Sequence, residues 1–274
     1  MHRFFVDPDC IRDGRAGVDG AVARQVSQVL RMRVGEIIAL LDGTGWEYVV
    51  SLNSLSPSRL EGEVVSESFL SGEPDVSVTL YQGIMKGEKL EMVLQKGTEL
   101  GISAFVPVVC HRSIPRAGGG RADARLKRWR SIVREAAEQS GRSLIPTVEA
   151  PVSLRDALEQ ARGVTLMAWE GEHETGLREA LSKRLEQARV EGLGLLVGPE
   201  GGFEPAEVEL AMEAGAVVVS LGRRTLRSET AGLAMAAAAM YELGELGTPG
   251  DAAGDPLAEL TGVRSKEVQR GQRE

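Results

Sequence analysis

Two loops in the C-terminal half of the chain carry the residue types best suited to chemistry. The first reads GPEGG at positions 198–202, and the second reads LGRRTLRSET at positions 221–230. Each loop follows an apolar run typical of a buried strand, and each leads into a helical pattern. Because the strands of an open α/β sheet release the chain into exposed turns at one edge, this layout predicts a site for a small polar ligand.

The glycines of the first loop allow backbone conformations and close approaches that other residues do not. Pro199 stiffens the entry to this loop. The spacing matches neither GxGxxG nor a Walker loop, so a phosphate cradle is not indicated. Taken alone, a glycine-rich turn of this kind is better interpreted as a tight connection between a strand and a helix.

The second loop places Arg223, Arg224 and Arg227 at the entrance of a predicted helix. Ser228 is predicted to cap that helix, and Glu229 complements the helix dipole. These roles leave the arginines unexplained. Arg227, directly before the predicted cap, is best placed to meet a carboxylate or a phosphate. We therefore expect an anion-attracting mouth at this loop.

A third feature is a basic segment between residues 112 and 142. It contains nine Lys and Arg residues but only three acidic residues, Asp123, Glu135 and Glu138, although the whole chain has a net charge of −8. An exposed, salt-bridged helix is one explanation, but the imbalance favours a phosphate backbone as partner. The nine are Arg112, Arg116, Arg121, Arg125, Lys127, Arg128, Arg130, Arg134 and Arg142.

The chain of 274 residues has room for two domains, and its hydrophobic content of 42% is ample for a buried core. Short apolar runs predict a small β-rich domain over 1–72, with a helix over 21–32. Alternating strands and helices predict a parallel α/β sheet over 73–246, and composition predicts a frayed tail over 247–274. Strands are predicted at 4–6, 36–41, 47–52, 60–65, 76–82, 105–109, 164–168, 193–197 and 216–221, and helices at 87–100, 121–139 and 205–215.

Composition disfavours several other classes of function. The chain has no run of about 18 apolar residues, and its N-terminus lacks the order of a secretory signal. Cys10 and Cys110 lie far apart, and the three histidines show no ligand spacing, so neither a disulfide nor a metal site is expected. We expect a cytoplasmic protein that binds neither a membrane nor a metal. Lys86, Lys89 and Lys96 could extend the basic surface, although such helix positions are typically solvated.

Four groups of residues together resemble the RsmE family, bacterial methyltransferases of the SPOUT superfamily that methylate N3 of a uridine in 16S ribosomal RNA. The combination is highly specific, although no single segment is, and it extends to about residue 246. The groups are GEKLE with QKGTELG within 87–101, EAAEQSGR at 135–142, LVGPEGGF at 196–203, and LG with LRSETA within 221–231.

This resemblance implies a C-terminal SPOUT domain with a parallel sheet and a trefoil knot, a small N-terminal β-barrel of PUA-like type, and a homodimer. It also implies that S-adenosylmethionine, in a bent conformation, is the methyl donor. The N-terminal part carries a Val-Leu-Arg motif at 29–31 that resembles one in this family. The family commonly has a histidine about four residues before the motif, where this chain has Gln25. The donor would be held by backbone groups of Val197, Gly198, Gly201, Leu221, Gly222 and Leu226, with Ser228 and Thr230 nearby.

By the same resemblance, the substrate is 16S ribosomal RNA or the small ribosomal subunit. We expect Arg227 to stabilise negative charge on the uracil, and Glu229 or Glu200 to accept the N3 proton or orient the base. Two rival hypotheses are a SPOUT enzyme that acts on another base or a ribose 2′-hydroxyl, and a catalytically idle RNA-binding assembly factor. RNA contacts are expected at Arg3, Arg31, Arg112, Arg121, Arg125, Arg128, Arg134 and Arg142.

Overall fold

The computed structural model describes residues 1–70, 72–113, 120–187 and 192–246. The predicted tail over 247–274 lies outside these residues. Two sheets organise the described chain, one built from the N-terminal strands and one from the later strands. The predicted succession of a β-rich part and an α/β part is confirmed, and the position of the boundary between them stays a prediction.

Six strands form the N-terminal sheet: β1 (His2–Phe5), β2 (Ile11–Arg12), β3 (Arg15–Asp19), β4 (Ile37–Leu41), β5 (Trp46–Leu55) and β6 (Arg59–Phe69). Their order is β1-β4-β5-β6-β3-β2, and the pairs are antiparallel except for β1 with β4. Leu40, Leu52 and Leu60 are fully buried in the core of this sheet. The four predicted strands are present with shifted ends, and the structure adds β2 and β3, which the short apolar runs did not predict.

The helix predicted over 21–32 is shorter in the structure. Helix α1 (Ala21–Arg24) continues into a π-helical turn over Gln25–Val29. Two residues later, Arg31 has a φ of 54° and an exposed side chain. Because a left-handed conformation is uncommon outside glycine, it marks the point where the chain leaves the helical path.

Seven strands form the second sheet: β7 (Ser77–Gly83), β8 (Ala104–Val109), β9 (Thr147–Val148), β10 (Val152–Ser153), β11 (Val164–Ala168), β12 (Gly192–Val197) and β13 (Val217–Val219). Their order is β10-β8-β7-β12-β11-β13 with β9 beside β8, and these pairs are all parallel. The predicted parallel sheet is therefore confirmed. Its helices are α2 (Lys89–Glu99), α3 (Gly120–Ser140), α4 (Leu154–Gln160), α5 (Leu177–Gln187), α6 (Pro205–Glu213) and α7 (Ser228–Glu242).

The strand order brings four loops to one edge of the second sheet. Val197 of β12 pairs with Gln82 of β7 on one side and with Ala168 of β11 on the other. Ala168 also pairs with Val219 of β13. Because these strands are parallel, their carboxyl ends meet at the same edge. The loops that follow β7, β11, β12 and β13 consequently lie side by side.

Helix α7 is rich in alanine and packs tightly against the second sheet. Met235, Ala236 and Met240 are fully buried and share a core cluster with Leu80 of β7 and Leu195 of β12. Small side chains allow the helix to lie close to the strands. This packing holds the first turn of α7 beside the four loops.

Helix α3 connects the two sheets through an edge of the N-terminal sheet. The side chain of Glu138 accepts a hydrogen bond from the backbone N–H of Phe5 at 2.9 Å, and Arg134 donates to the carbonyl oxygen of the same residue. Arg134 and Glu138 also form an ion pair one helical turn apart. Both backbone groups of Phe5 are therefore satisfied by side chains of α3, so Arg134 has an intramolecular role that its predicted RNA contact did not include.

Arg142 is buried, which corrects its prediction as an RNA contact. Only 7% of the residue is exposed, and its guanidinium donates to the carbonyl oxygens of Thr98 and Ile102. It also pairs with Glu73, whose carboxylate accepts the backbone N–H of Ser143. A guanidinium enclosed in this way is a structural tie between the end of α3, the end of α2 and the segment before β7.

We predict that Glu73→Gln destabilises the fold by about 3 kcal/mol, because it leaves the buried Arg142 charge without its partner. Urea unfolding measures this change in the free energy of unfolding. Glu61→Gln is the matched control, since Glu61 pairs with Arg59 at the surface and its loss costs less than about 1 kcal/mol. Equal losses in the two variants would contradict the structural role of the buried pair.

The same pair has a pH signature. Burial opposes ionisation of Glu73, but Arg142 and two backbone N–H groups outweigh it and hold the pKa of Glu73 below its ordinary value of 4.5. A carboxyl with a lowered folded-state pKa stabilises the fold above its unfolded pKa, and this contribution is lost as pH falls through the folded-state pKa. Wild-type stability should therefore fall more steeply in acid than that of Glu73→Gln.

Candidate functional site

The loops at the sheet edge enclose a cavity of about 510 Å³. It is lined by both glycine-bearing loops identified in the sequence and by the loop that follows β11. The structure thus brings together the two segments that the sequence singled out. Of the residues predicted to hold the donor, those that line the cavity are Val197, Gly198, Gly201, Leu221, Gly222, Leu226 and Ser228.

Thr230 is placed differently from the other predicted donor contacts. It is exposed in the first turn of α7 and is not among the residues that line the cavity. In a helix, successive side chains point about 100° apart, so neighbours of a lining residue face other directions. We therefore do not retain Thr230 as a donor contact.

Close backbone packing explains why glycine stands at the end of β7. A Cβ atom on Gly83 would lie 2.3 Å from the backbone nitrogen of Pro199 and 2.6 Å from the carbonyl carbon of Gly198. These are backbone atoms and cannot rotate away as a side chain can. Gly83 therefore lets the first loop lie directly against β7. Within the loop, Gly202 has a φ of 69°, a conformation that L side chains rarely adopt.

A buried chain of hydrogen bonds joins the two glycine-bearing loops. The side-chain amide of Gln82 donates to the hydroxyl oxygen of Ser228 at 3.0 Å, and that hydroxyl donates to the carbonyl oxygen of Gly198. Gln82 is only 1% exposed. The sequence alone gives no signal for this residue, because a glutamine at the end of an apolar strand is unremarkable until the register places it opposite Val197.

This arrangement corrects the predicted role of Ser228. The N-cap of α7 is Arg227, with an extended backbone at φ −65° and ψ 150°, and Ser228 is the first residue of the helix. Its hydroxyl binds the first loop and not the amides of its own helix. A serine next to a helix start suits either position, and the tertiary contact decides between them.

Two carboxylates and one ammonium group form a charged cluster in the cavity. The ammonium nitrogen of Lys89 lies 3.3 Å from Oε1 of Glu200 and 3.4 Å from Oε2 of Glu229. Oε1 of Glu200 also accepts the backbone N–H of Lys86 at 3.0 Å. Burial acts to raise the pKa of Glu200, but the Lys86 amide and the Lys89 ammonium outweigh it, and the pKa lies below its usual range. Glu200 is therefore held as an anion.

Positive charge surrounds this cluster on the second loop. Arg223, Arg224 and Arg227 all line the cavity and are exposed. The predicted anion-attracting mouth thus lies over the same cavity as the glycines. Sequence reasoning did not single out the loop after β11, from which Trp169, Glu170 and His173 also reach the lining. Its only signal is its position directly after a buried strand.

The predicted RNA contacts on the basic segment are largely engaged within the protein. Arg128 lies 2.7 Å from Glu91 of α2. The guanidinium of Arg125 lies 5.0 Å from the ring centre of Trp129. Arg112 donates to the carbonyl oxygen of Gly201 at 2.8 Å and so supports the first loop from outside the cavity. These arginines therefore have contacts within the protein, and binding of RNA by the basic segment stays a prediction.

Two of the remaining predicted RNA contacts, Arg3 and Arg31, lie in or near the N-terminal sheet. Arg3 pairs with Glu47 at 2.8 Å and keeps a partly exposed side chain. Arg31 is exposed at the left-handed turn after the π-helical segment. Arg121 lies in α3, and its side chain is outside the described part of the structure.

Within the described ranges, no group of three or more His, Cys, Asp or Glu side chains is arranged to hold a metal ion. Among the helices that the structure describes, none is both long and apolar enough to cross a membrane.

Comparison with known proteins identifies the family to which this architecture belongs. Residues 72–240 match the family model of the RNA methyltransferase domain, so the fold and the cavity are those of an RNA methyltransferase. The chain is 34% identical over 249 residues to ribosomal RNA small subunit methyltransferase E of Bacillus subtilis, covering 88% of this chain and 97% of that one. The chain belongs to this methyltransferase E family.

Solved structures agree with the sequence comparison. The methyltransferase E of Neisseria gonorrhoeae bound to S-adenosylmethionine is 34% identical, with a TM-score of 0.77 over 88% of this chain and 98% of that one. A putative methyltransferase of Legionella pneumophila, also in complex with S-adenosylmethionine, is 27% identical, with a TM-score of 0.80 over the same shares of the two chains. The fold resemblance therefore spans both sheets.

We predict that Gly83→Ala weakens binding of S-adenosylmethionine about tenfold, because the added methyl group forces the first loop away from β7 at a cost of about 1–3 kcal/mol. Isothermal titration calorimetry measures the affinity. Gly72→Ala is the control, since its Cβ meets no atom within 4 Å. An unchanged affinity in Gly83→Ala would show that the loop position does not determine donor binding.

Proposed function

We propose that this protein transfers the methyl group of S-adenosylmethionine to N3 of a uridine in 16S ribosomal RNA. The observation that carries the proposal is the cavity built from two glycine-bearing loops in a chain of the methyltransferase E family. Relatives of the same fold bind S-adenosylmethionine in their crystal structures. The substrate is proposed from the relatives' name, which specifies RNA of the small ribosomal subunit.

The residues present fit the methyl donor. Glycines at the cavity expose backbone groups, and a volume of about 510 Å³ lies within the range of small-molecule sites. When bound, the donor supplies a methyl group on a positively charged sulfur. Backbone groups of Val197, Gly198, Gly201, Leu221, Gly222 and Leu226 would hold it, with Ser228 fixing the two loops relative to each other.

The reaction requires loss of the N3 proton of uracil. The N3–H bond breaks, its proton passes to a protein carboxylate, and the nitrogen lone pair forms the new bond to the methyl carbon as the carbon–sulfur pair returns to sulfur. Negative charge develops on the base before this bond forms. Arg227 at the start of α7 supplies a positive charge at the cavity to stabilise it.

Of the two candidate carboxylates, Glu229 is the better proton acceptor. Glu200 accepts the Lys86 amide and has a lowered pKa, which makes it a weak base. Glu229 is only 8% exposed, and within the described structure its Oε2 accepts no hydrogen bond. This oxygen forms an ion pair with Lys89. We therefore assign proton acceptance to Glu229 and orientation to Glu200.

The resemblance also implies a trefoil knot and a homodimer, and the composition favours a cytoplasmic location; these form part of the proposal. The central place of the late strand β12, between β7 and β11, supports a threaded C-terminal region. A methyl-transfer assay that compares naked RNA with undermethylated small subunits tests which form is the substrate. Transfer to neither, with the donor bound, would favour the catalytically idle assembly factor.

We predict that Arg227→Ala lowers the rate of methyl transfer about 100-fold or more, because a charge-stabilising group is lost from the reacting base. Calorimetric affinity for the donor should change less than about threefold, since the donor is held by backbone groups. Arg155→Ala, an exposed arginine on α4, is the control. Near-normal turnover in Arg227→Ala would refute the assigned role.

We predict that Arg31→Ala weakens binding to RNAs of different sequence by about the same factor. Loss of one phosphate contact should reduce the slope of log affinity against log salt concentration by about 1. Binding titrations at several salt concentrations measure both quantities. An affinity and a slope equal to those of the wild type would remove Arg31 from the RNA surface.

A further inference from the structure

Lys89 is a lysine in an unusual place. It is the first residue of α2, where the helix dipole disfavours a positive charge. Its side chain is 37% exposed and its ammonium nitrogen lies within 3.4 Å of carboxylates from two other elements, the loop after β12 and the first turn of α7. A lysine that was only solvated would not contact carboxylates from two other elements. Its contacts therefore point to a role inside the cavity.

The charges around Lys89 come from each element packed against it. Glu88 and Glu91 belong to its own segment, and both face Arg128 of α3. Glu200 and Glu229 face Lys89 directly. On the second loop, Arg227 lines the same cavity. Arg128 therefore balances the charges of Glu88 and Glu91. Within the described residues, Lys89 forms ion pairs with both Glu200 and Glu229.

We propose that Lys89 is a positioning residue for methyl transfer, which holds Glu200 and Glu229 in fixed positions beside the donor. The inference rests on the proposed function. Lys89 contacts the two carboxylates at nearly equal distances and so neutralises part of their mutual repulsion. Without the ammonium group, two neighbouring anions repel each other, and one of them takes up a proton more readily.

This role explains why the two carboxylates coexist in a cavity that must also admit an RNA base. Glu229 lies on α7 and Glu200 on the first loop, so the ammonium group also links the two loops at the cavity mouth. The buried Gln82 hydrogen bonds link the same loops more deeply in the protein. The two connections together fix the position of the carboxylate that receives the proton.

The experiment compares Lys89→Met, Lys89→Arg and Lys183→Met in the full-length protein. Lys183 is the matched control, because its ammonium group pairs with Glu179 on the same helix, α5, and neither residue lines the cavity. Methyl transfer gives kcat and KM across a pH series, and calorimetry gives affinity for S-adenosylmethionine. Thermal unfolding verifies that each variant is folded, as expected for a partly exposed residue.

We expect Lys89→Met to lower kcat about tenfold or more, with donor affinity changed less than about threefold and the acid limb of the pH profile moved to higher pH. Lys89→Arg should recover most of the rate, and Lys183→Met should equal the wild type. A profile and rate in Lys89→Met that match Lys183→Met would overturn the proposal. So would a folded Lys89→Met that loses rate without any movement of the acid limb. A wild-type protein without methyl transfer would refute the proposed function itself.

Discussion

The chain of hydrogen bonds from Gln82 through Ser228 to Gly198 is the interaction on which the cavity depends. It joins β7 to the loop after β12 and to the first turn of α7, and Gln82 lies 116 residues before Gly198 and 146 residues before Ser228. It forms because parallel strands place their carboxyl ends at one edge, and because Gly83 has no side chain to keep the loop away. Removal of any of these conditions would separate the loops and open the cavity.

Electrostatics then gives the cavity its chemistry. Neutral backbone groups line the part formed by glycines, whereas charged side chains reach the same cavity from the second loop, α2 and α7. Arg227 supplies positive charge, and Glu229 supplies a buried carboxylate held by Lys89. A site that combines a cation with a positioned anion can stabilise a deprotonated base and accept its proton in the same encounter. The arginines of α3 contribute less directly, because several of them stabilise the fold.

The sequence alone predicted the parallel sheet, both glycine-bearing loops and the position of Arg227. Each of these features has a local pattern of apolar runs, glycines or clustered charge. The role of Ser228 could not be predicted, because a serine beside a helix start serves equally as a cap or as a tertiary contact. Arg142 looked like a surface charge, because its burial depends on Glu73, which lies far away in the chain. Arg134 is exposed, but its hydrogen bond to the backbone of Phe5 could not be predicted either, because the two residues are distant in the sequence. Lys89 carried no distinguishing local signal, because its two carboxylates come from distant loops.

We propose that the two-loop cavity directs a methyl group to N3 of uracil in small-subunit RNA. Mass spectrometry of nucleosides tests this directly, with undermethylated small subunits incubated with the protein and isotopically labelled S-adenosylmethionine. We expect the label in 3-methyluridine at one position of the RNA. Label on a ribose 2′-hydroxyl or on another base would contradict it.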